Sequence, residues 1–439
     1  MTSTKSDLFD TVAVCAPDNT GRLIGKRLPA ARWQEVLADG MPMPNFHLVT
    51  GIENEPYTNM EVTGYRTGFC NGLLFPVDQN PRPFALEDGV GLALANVHEM
   101  EGCRVAVSPR QILIHQLERL KERGISATCA TELEFYLFRT SYRGAHDGAY
   151  ADLVPYHHFH GDNDILVSGF AEPFLSDLRR AAENMGLQTV ATQGEGGPGQ
   201  FEINFHHASP LKAADDHVIF KHLAKRLAYQ HDLSVTFMAK IDPALPGSSC
   251  HIHFSICDPK GSPVSGTREH GLSDTGRAFL AGLVDNTNDF MPLFCPYLNS
   301  YRRLQPESFA PSNCTWGMDN RSVMIRVVGD ETLRFEFRLP GADSNPYWAI
   351  SGLIAAGLAG LQQDAELCEP VIGNAYATSA KAVLGDLSEA VDAFASSQIA
   401  VSAFTPEVHQ HLLGLARRER DAGRKMVTSW ELKRGFERA

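Results

Sequence analysis

The fold is decided by residues 131–138, TELEFYLF, in which polar and apolar side chains alternate strictly. Such alternation predicts a β-strand whose Leu and Phe side chains are buried and whose Glu132 and Glu134 share the opposite face. Two steps along a strand separate the Cβ atoms of these glutamates by roughly 7 Å. This spacing suits neighbouring metal ions better than a shared proton.

The same pattern recurs in three further segments. They are residues 200–205 (QFEINF), 251–255 (HIHFS) and 334–339 (RFEFRL). A single copy is typical of an antiparallel strand with one face in solvent. Four copies are harder to explain in that way, because their aromatic faces require burial and their polar faces carry acids, imidazoles and guanidinium groups. We therefore expect the polar faces to line one cavity.

Five glutamates would face this cavity: Glu132, Glu134, Glu202 and Glu336 from the strands, and Glu195 from the glycine-rich loop at 194–199. Like charges so close cannot all stay ionised unless cations neutralise them. Oxygen ligands with one or two imidazoles favour Mg²⁺ or Mn²⁺ over zinc. The sequence therefore predicts a site for two divalent ions.

An arginine cluster supplies the second half of the expected chemistry. It consists of Arg302, Arg303, Arg321, Arg326, Arg334 and Arg338, beside Asn320 and Asn345. Arginine binds carboxylate and phosphate in a bidentate manner, so the cluster and the metals together indicate phosphoryl transfer. The sequence has no Walker-type loop, which would make this an unusual nucleotide site. The carboxylates alone would also permit a two-metal phosphohydrolase.

Composition narrows the possible partners. The chain has 439 residues and a formal net charge of −13, so no basic surplus is available for a nucleic acid or an anionic membrane. Its nine cysteines are scattered singly, which fits reduced thiols. With neither a secretory signal nor a membrane span visible in the sequence, we expect a cytoplasmic protein.

The texture of the chain changes near residue 106. Before it, short apolar stretches such as 11–14 and 73–75 alternate with turn-rich segments, which predicts a small strand-rich domain. After it, Ser108 and a following proline open a helix, and further helices are expected over 176–185 and 213–230. We predict a domain over 1–105 and a mixed α/β catalytic domain over 106–439.

Seven motifs, in this order, resemble the glutamine synthetase superfamily. They are ELEF (132–135), GPGQFE (197–202), FMAK (237–240), GSSCHIH (247–253), NSYRR (299–303), NRS (320–322) and RFEFR (334–338) with the following NPY (345–347). The resemblance implies an α+β fold, with a β-grasp domain first and a catalytic domain whose antiparallel strands form a funnel between subunits. It also implies a homo-oligomer, a dodecamer of two stacked hexameric rings.

The resemblance assigns roles to matching residues. One Mg²⁺ or Mn²⁺ would be held by Glu134, Glu195 and Glu202, and the other by Glu132, His251 and Glu336. The glutamate substrate would be bound by Arg303, Arg338 and Gly247. ATP would be served by Arg326, Arg334, Ser255 and a catalytic Arg321. The family phosphorylates the γ-carboxylate of glutamate with ATP, and an amine then displaces phosphate.

The amine pocket departs from the pattern of true glutamine synthetases. Those enzymes have a glutamate immediately before the Ala-Pro at 310–311, where this sequence has Phe309. Their ammonium-binding aspartate has no clear counterpart in residues 64–72. An aromatic side chain favours an organic amine over ammonium. Residues 308–311 and 316–321 resemble the branch that makes γ-glutamylated amines from polyamines, ethanolamine or other monoamines.

The sequence thus predicts a ligase that joins L-glutamate to an organic amine with ATP. An alkylammonium has a pKa of roughly 10.4 and must lose a proton before attack, and Glu307 and Asp319 are the candidate bases. One alternative is an ammonia-dependent glutamine synthetase whose acidic group is Glu307 or Asp78. Another is a non-catalytic scaffold of the same family.

Three conspicuous features of the sequence are interpreted as having no catalytic, metal-binding or regulatory role. The histidines of residues 157–160 lie in a polar loop, while other residues already supply the metal ligands. Cys250 neighbours His251 on an alternating strand, so we expect it to face the core. Tyr376 lies near a tyrosine that some bacterial glutamine synthetases adenylylate, but residues 373–377 lack the surrounding motif.

Overall fold

The structure, a computed structural model, describes residues 8–269, 271–329 and 331–438 of the chain. Its strands are β1 (Thr11–Pro17), β2 (Leu23–Pro29), β3 (Met41–Pro44), β4 (Asn71–Pro76), β5 (Arg82–Pro83), β6 (Val90–His98), β7 (Ser126–Phe138), β8 (Thr189–Gly194), β9 (Gln200–Phe205), β10 (Ser234–Thr236), β11 (Cys250–Cys257), β12 (Gly266–Thr267), β13 (Gly271–Leu272), β14 (Trp316–Met318), β15 (Ile325–Val328) and β16 (Arg334–Phe337).

The first six strands form one mixed sheet in the order β2-β1-β6-β4-β3, with β5 paired to β6. Strands β1 and β6 are parallel, and the other pairs are antiparallel. The apolar stretches at 11–14 and 73–75 lie in β1 and β4, so these two strand predictions are confirmed. Trp33, which begins helix α1 (Trp33–Asp39), is almost completely buried.

The second sheet has eight strands in the order β14-β15-β16-β11-β7-β9-β8, with β10 paired to β7. The four segments with the repeated alternating pattern are β7, β9, β11 and β16. They are neighbours in the sheet, in the order β16-β11-β7-β9, and every pairing among them is antiparallel. The sequence predicted each strand but not this order.

Twelve further helices occur in the described part of the chain. They are α2 (Pro109–Glu122), α3 (Tyr142–Asp147), α4 (Ile165–Asn184), α5 (Pro210–Gln230), α6 (Asp274–Asn286), α7 (Met291–Phe294), α8 (Leu298–Tyr301), α9 (Pro346–Gln363), α10 (Leu387–Ser396), α11 (Gln398–Ala403), α12 (Pro406–Gly423) and α13 (Ser429–Gly435). None of the helices within the described ranges has the length and apolar character needed to cross a membrane.

Helix α4 begins well before the predicted start at Ser176. The reason is a capping signal: the Asp164 side chain accepts hydrogen bonds from the backbone N–H groups of Leu166 and Val167. Helices α2 and α5 begin with Pro109 and Pro210, which suit the first helical turn because their missing N–H would have no partner there.

The apolar faces of the four strands pack against helices. Phe279 of α6 stacks between Phe254 of β11 and Phe335 of β16, with ring centroids 5.9 Å apart in each pair. Helix α9 packs against α6. A Cβ atom on Gly360 would come within 2.1 Å of the Ala278 carbonyl oxygen, so the close approach of the two helices requires glycine. This core holds the polar face of the sheet in place.

Candidate active site

Strand register places the charged residues of the second sheet side by side. The paired positions are Glu132 with His251, Glu134 with Glu202, His253 with Glu336, and Glu336 with Arg326. Because side chains alternate along a strand, all of these residues lie on the face opposite the buried phenylalanines. The polar faces of β7, β9, β11 and β16 therefore form one continuous surface.

One carboxylate group on this surface consists of Glu134, Glu195 and Glu202, whose oxygen atoms lie within 4.8 Å of one another. Burial raises the pKa of Glu195 and of Glu202, and the charge of Glu134 raises both further. A bound cation would neutralise the repulsion between these carboxylates and so favour their ionised forms. Three oxygen donors and no thiol fit a hard divalent ion such as Mg²⁺ or Mn²⁺.

Each carboxylate of this group accepts a hydrogen bond that orients it. The donors are the Ser249 backbone N–H to Glu134 (2.8 Å), the Gln193 side chain to Glu195 (3.1 Å) and the Asn204 side chain to Glu202 (2.9 Å). Sequence reasoning did not single out these residues for this task. The sequence nonetheless contains a signal for them, because Gln193 and Asn204 are each two positions from the glutamate to which they donate, a spacing that places both side chains on the same face of a strand.

A second group consists of Glu132, Glu202 and His251, whose ligand atoms also lie within 4.8 Å of one another. The His251 Nδ1 atom is 3.3 Å from one Glu132 oxygen, and the His253 Nε2 atom is 2.8 Å from the other. Burial by itself would raise the pKa of Glu132, but the hydrogen bonds and charge of the two histidines outweigh it and lower the pKa. His253 was not among the predicted site residues, although its period-2 spacing from His251 marked it.

Glu336 lies beside this second group and is paired mainly with arginines. Arg326 Nη1 is 2.7 Å from one Glu336 oxygen, and Arg338 donates to the other, which is also 3.7 Å from His251 Nδ1. Burial opposes ionisation, but the charges of His251 and Arg338 prevail and lower the pKa of Glu336 to about 2. Glu336 therefore stays a carboxylate, within reach of the site.

Two residues matched to glutamate binding lie in close contact. The buried Arg303 guanidinium donates 2.8 Å hydrogen bonds to the backbone oxygens of Leu339 and Arg338, which follow β16. A Cβ atom on Gly247 would lie 2.6 Å from Arg303 Cγ and 2.8 Å from the Ala239 oxygen. Gly247 is thus the residue that allows the Arg303 side chain to pass.

The residues that the resemblance assigns to ATP lie toward the β14 edge of the second sheet. Ser255, Arg334 and Arg326 belong to the adjacent strands β11, β16 and β15, and Arg321 lies in the exposed loop between β14 and β15. The Arg334 Nε atom donates to His253 Nδ1 at 3.1 Å. Three of these four positions are therefore fixed by the sheet, and the fourth is fixed by a loop.

The residues predicted to bind or deprotonate the amine, here called the amine end of the site, have an unusual backbone conformation. Glu307, Phe309 and Asp319 all have left-handed φ angles, of 61°, 59° and 48°. The Phe309 side chain is 70% exposed, and its backbone oxygen accepts a 3.3 Å hydrogen bond from Arg338. The hydrogen bond and charge of Arg326 lower the pKa of Asp319, which makes it a weaker base than an ordinary aspartate.

Some residues near the motifs lie elsewhere. Grouping Asn345 with the arginine cluster was wrong: Asn345 is buried, caps α9, and donates to the backbone oxygens of Asp18 and Asn19. Cys250 is fully buried, as expected for a core residue, and burial raises its pKa to about 12. No histidine of residues 157–160 belongs to a candidate metal group within the described ranges.

The chain is similar in sequence to known proteins of one family. Residues 106–435 match the profile of the glutamine synthetase catalytic domain. The chain is 41% identical over 433 residues to the γ-glutamylethanolamide synthetase GlnA4 of Streptomyces coelicolor, covering 98% of this chain and 93% of that protein. It is 30% identical over 434 residues to the glutamate–isopropylamine ligase of a Pseudomonas species, covering 97% and 95%.

A solved structure shows the same fold over the whole chain. The GmaS/ADP complex superposes with a TM-score of 0.86 at 24% identity, covering 100% of both chains. The predicted fold class is therefore confirmed.

Proposed function

Because this chain belongs to the glutamine synthetase family, and within it to the branch of γ-glutamyl-amine ligases, we propose that it joins the γ-carboxylate of L-glutamate to a small organic amine. The observation that carries this proposal is Phe309, which stands where the resemblance places a carboxylate in ammonia-using enzymes. The relatives named for ethanolamine and isopropylamine support it. Ethanolamine is the first amine to test, because the relative named for it is 41% identical to this chain over 433 aligned residues.

The proposed reaction has two steps. A γ-carboxylate oxygen of glutamate attacks the γ-phosphorus of ATP, and the bond to ADP breaks, which leaves γ-glutamyl phosphate. The neutral amine then attacks the γ-carbonyl carbon, the amide bond forms, and inorganic phosphate leaves. The extra proton of the amine passes to a base.

The two carboxylate groups are the proposed metal sites. Glu134, Glu195 and Glu202 would hold one ion, and Glu132, His251 and Glu336 the other, with Glu202 within reach of both groups. The raised pKa of Glu195 and Glu202 supports this assignment, because a cation would remove the repulsion. Divalent ions there would neutralise the charge of the transferring phosphoryl group.

Arginines would bind the anionic substrates. We assign Arg303, Arg338 and Gly247 to binding of the glutamate substrate, with the two arginines at its carboxylates. Arg326, Arg334 and Ser255 are assigned to ATP, and Arg321 to the charge that develops during transfer. Arg303 has already committed two N–H donors to the backbone, so its remaining donors are the ones available to substrate.

At the amine end, the exposed Phe309 ring would pack against the organic part of the amine. Glu307 is the preferred base, because Asp319 is held as an ion pair by Arg326. The resemblance further supports a funnel completed by a neighbouring subunit in a dodecamer of two stacked hexameric rings, and a separate domain over residues 1–105. Native mass measurement tests the assembly.

The experiment is phosphate release from ATP with Mg²⁺ and glutamate, in which the amine is varied. Ammonium, methylamine, ethanolamine, putrescine, spermidine and an aromatic amine are compared across concentration, with glutamate omitted as the control. We expect kcat/KM for one organic amine to exceed that for ammonium by at least tenfold. Preference for ammonium would contradict the organic-amine assignment, and the absence of turnover with every amine would favour a scaffold.

A further inference from the structure

A strap of chain, defined here as residues 368–376, is hydrogen-bonded to β14 and to the loops that carry Arg321 and Phe309. It follows α9, and within it the structure has no strand and only the start of the short 3-10 helix Ala375–Ala377. The strap is hydrogen-bonded to Trp316 of β14. The Trp316 indole N–H donates to the Cys368 backbone oxygen, and the Trp316 backbone oxygen accepts from the Val371 N–H, both at 2.8 Å. A Cβ atom on Gly317 would come within 2.7 Å of the Val371 oxygen, so the fit is close.

The strap contacts the loop that carries Arg321. The Asn320 side-chain amide donates to the backbone oxygens of Val371 (3.1 Å) and Gly373 (2.8 Å). The Ser322 hydroxyl accepts from the Ala375 N–H at 3.0 Å, and its proton is shared between Asn320 Oδ1 at 2.7 Å and the Gly373 oxygen at 3.2 Å. The two neighbours of Arg321 in the sequence are therefore both attached to the strap.

The same strap contacts the loop that carries Phe309. The Tyr376 hydroxyl donates a 3.1 Å hydrogen bond to the Ala310 backbone oxygen, and Arg338 donates to the adjacent Phe309 oxygen at 3.3 Å. Phe309 has a left-handed φ angle, which a residue with a side chain adopts only when its surroundings impose it. Tyr376 and Arg338 are the side chains that hold these two carbonyls.

From these contacts we propose that the strap holds the Phe309 loop at a fixed place relative to the Arg321 loop, and that Tyr376 is thereby a positioning residue for selection of the organic amine. The inference rests on the proposed function, because it assigns Phe309 to the amine and Arg321 to the phosphoryl group. The amine must reach the γ-glutamyl carbon from a defined direction, so the two loops have to keep their separation. The Tyr376 hydroxyl donates to the Ala310 backbone oxygen, so we assign its effect to the position of the loop and not to direct contact with the amine.

The test is Tyr376→Phe, which removes the hydroxyl and keeps the ring. We expect the selectivity, kcat/KM for the preferred organic amine divided by that for ammonium, to fall about fivefold, the effect of one net hydrogen bond. The change should reside in KM for the amine, with KM for ATP within twofold of the unsubstituted protein. A general loss of folding would instead lower kcat for every amine alike.

Tyr142→Phe is the matched control. Its hydroxyl also donates to a backbone oxygen, that of Val235 at 2.9 Å, at a strand edge and not in the strap. Tyr142→Phe should leave the selectivity unchanged. An equal fall in both variants, or no fall in Tyr376→Phe, overturns the proposal.

A second variant tests the contact between the strap and the Arg321 loop. Ser322→Ala removes the hydroxyl that accepts from the Ala375 N–H and lies within hydrogen-bond distance of the Gly373 oxygen and of Asn320 Oδ1, and we expect it to lower the same selectivity. The double variant should lose less than the product of the two single losses, because both act through one segment. Fully multiplicative losses would contradict a strap that acts as a unit.

Failure of this inference is distinguishable from failure of the proposed function. If the unsubstituted protein turns over no organic amine, the proposed function fails before any variant is compared. If it prefers an organic amine and Tyr376→Phe keeps that preference, the proposed function stands and the role of Tyr376 is wrong.

Discussion

The metal end and the amine end of the site are built by different means. At the metal end, Glu132, Glu134 and Glu202 project from hydrogen-bonded neighbouring strands whose opposite face is a core of buried phenylalanines. At the amine end, Phe309 and Glu307 stand on a loop with left-handed backbone, attached by single hydrogen bonds. One end is therefore held by the register of a sheet, and the other by a few separable contacts.

The largest effect is expected at Glu202, the carboxylate shared by both metal groups. Glu202→Gln keeps the shape and removes the charge, and we expect ATP turnover to fall at least 100-fold, because both groups lose a carboxylate ligand. Without metal, the same variant should be more stable than the unsubstituted protein, because repulsion among buried carboxylates is relieved. Activity assays and thermal melts in EDTA measure the two effects.

The control for that variant is Glu118→Gln, which makes the same chemical change on the exposed side of α2. It should alter neither turnover nor melting temperature. Full activity of Glu202→Gln would mean that the carboxylate groups are not the metal sites.

The amine end should respond more mildly and in specificity. Phe309→Glu introduces a carboxylate that attracts ammonium, so we expect the ratio of kcat/KM for ammonium to that for the organic amine to rise about tenfold, as a partly screened charge interaction of about 1.4 kcal/mol would give. KM for ATP should not change. Competition assays with paired amines measure the ratio.

Phe309→Leu is the matched variant, since it keeps an apolar side chain without adding charge. It should lower organic-amine turnover without favouring ammonium. An unchanged amine profile in Phe309→Glu would show that residue 309 does not face the amine.

The smallest expected effect is on pH dependence. In the folded metal-free chain the pKa values of Glu195 and Glu202 are raised, so the folded state binds more protons than the unfolded state above the ordinary glutamate pKa of about 4.5. Stability contributed by these groups is therefore lost as pH rises from there through the folded pKa values. Mg²⁺ should then raise the melting temperature by a few degrees more at pH 8.5 than at pH 5.5.

Glu202→Gln again supplies the check on this linkage. It should reduce the difference between the Mg²⁺ effects at the two pH values, since one of the two raised carboxyls is gone. An equal Mg²⁺ effect at both pH values in the unsubstituted protein would contradict the link between these carboxyls and the cation.

Much of the fold could be predicted because its signals are local. The period-2 alternation around Glu134 and its three copies marked four strands, and the proline at 109 marked a helix start, since each depends on neighbouring residues only. The start of α4 at Ile165 was not predicted, because the capping role of Asp164 was not recognised in the sequence. Misplacing Asn345 had the same cause, since an Asn before a proline is a cap signal.

By itself, the sequence determined which residues share a strand face, which family the chain resembles, and that too many acids face one way to stay ionised without cations. The tertiary structure alone decided the order β16-β11-β7-β9, the pairing of Glu336 with Arg326 and Arg338, and the attachment of both outer loops to residues 368–376. Strand periodicity is written in adjacent residues. Register between distant strands, and a hydrogen bond from Tyr376 to Ala310, depend on how the whole chain packs, and no local pattern records them.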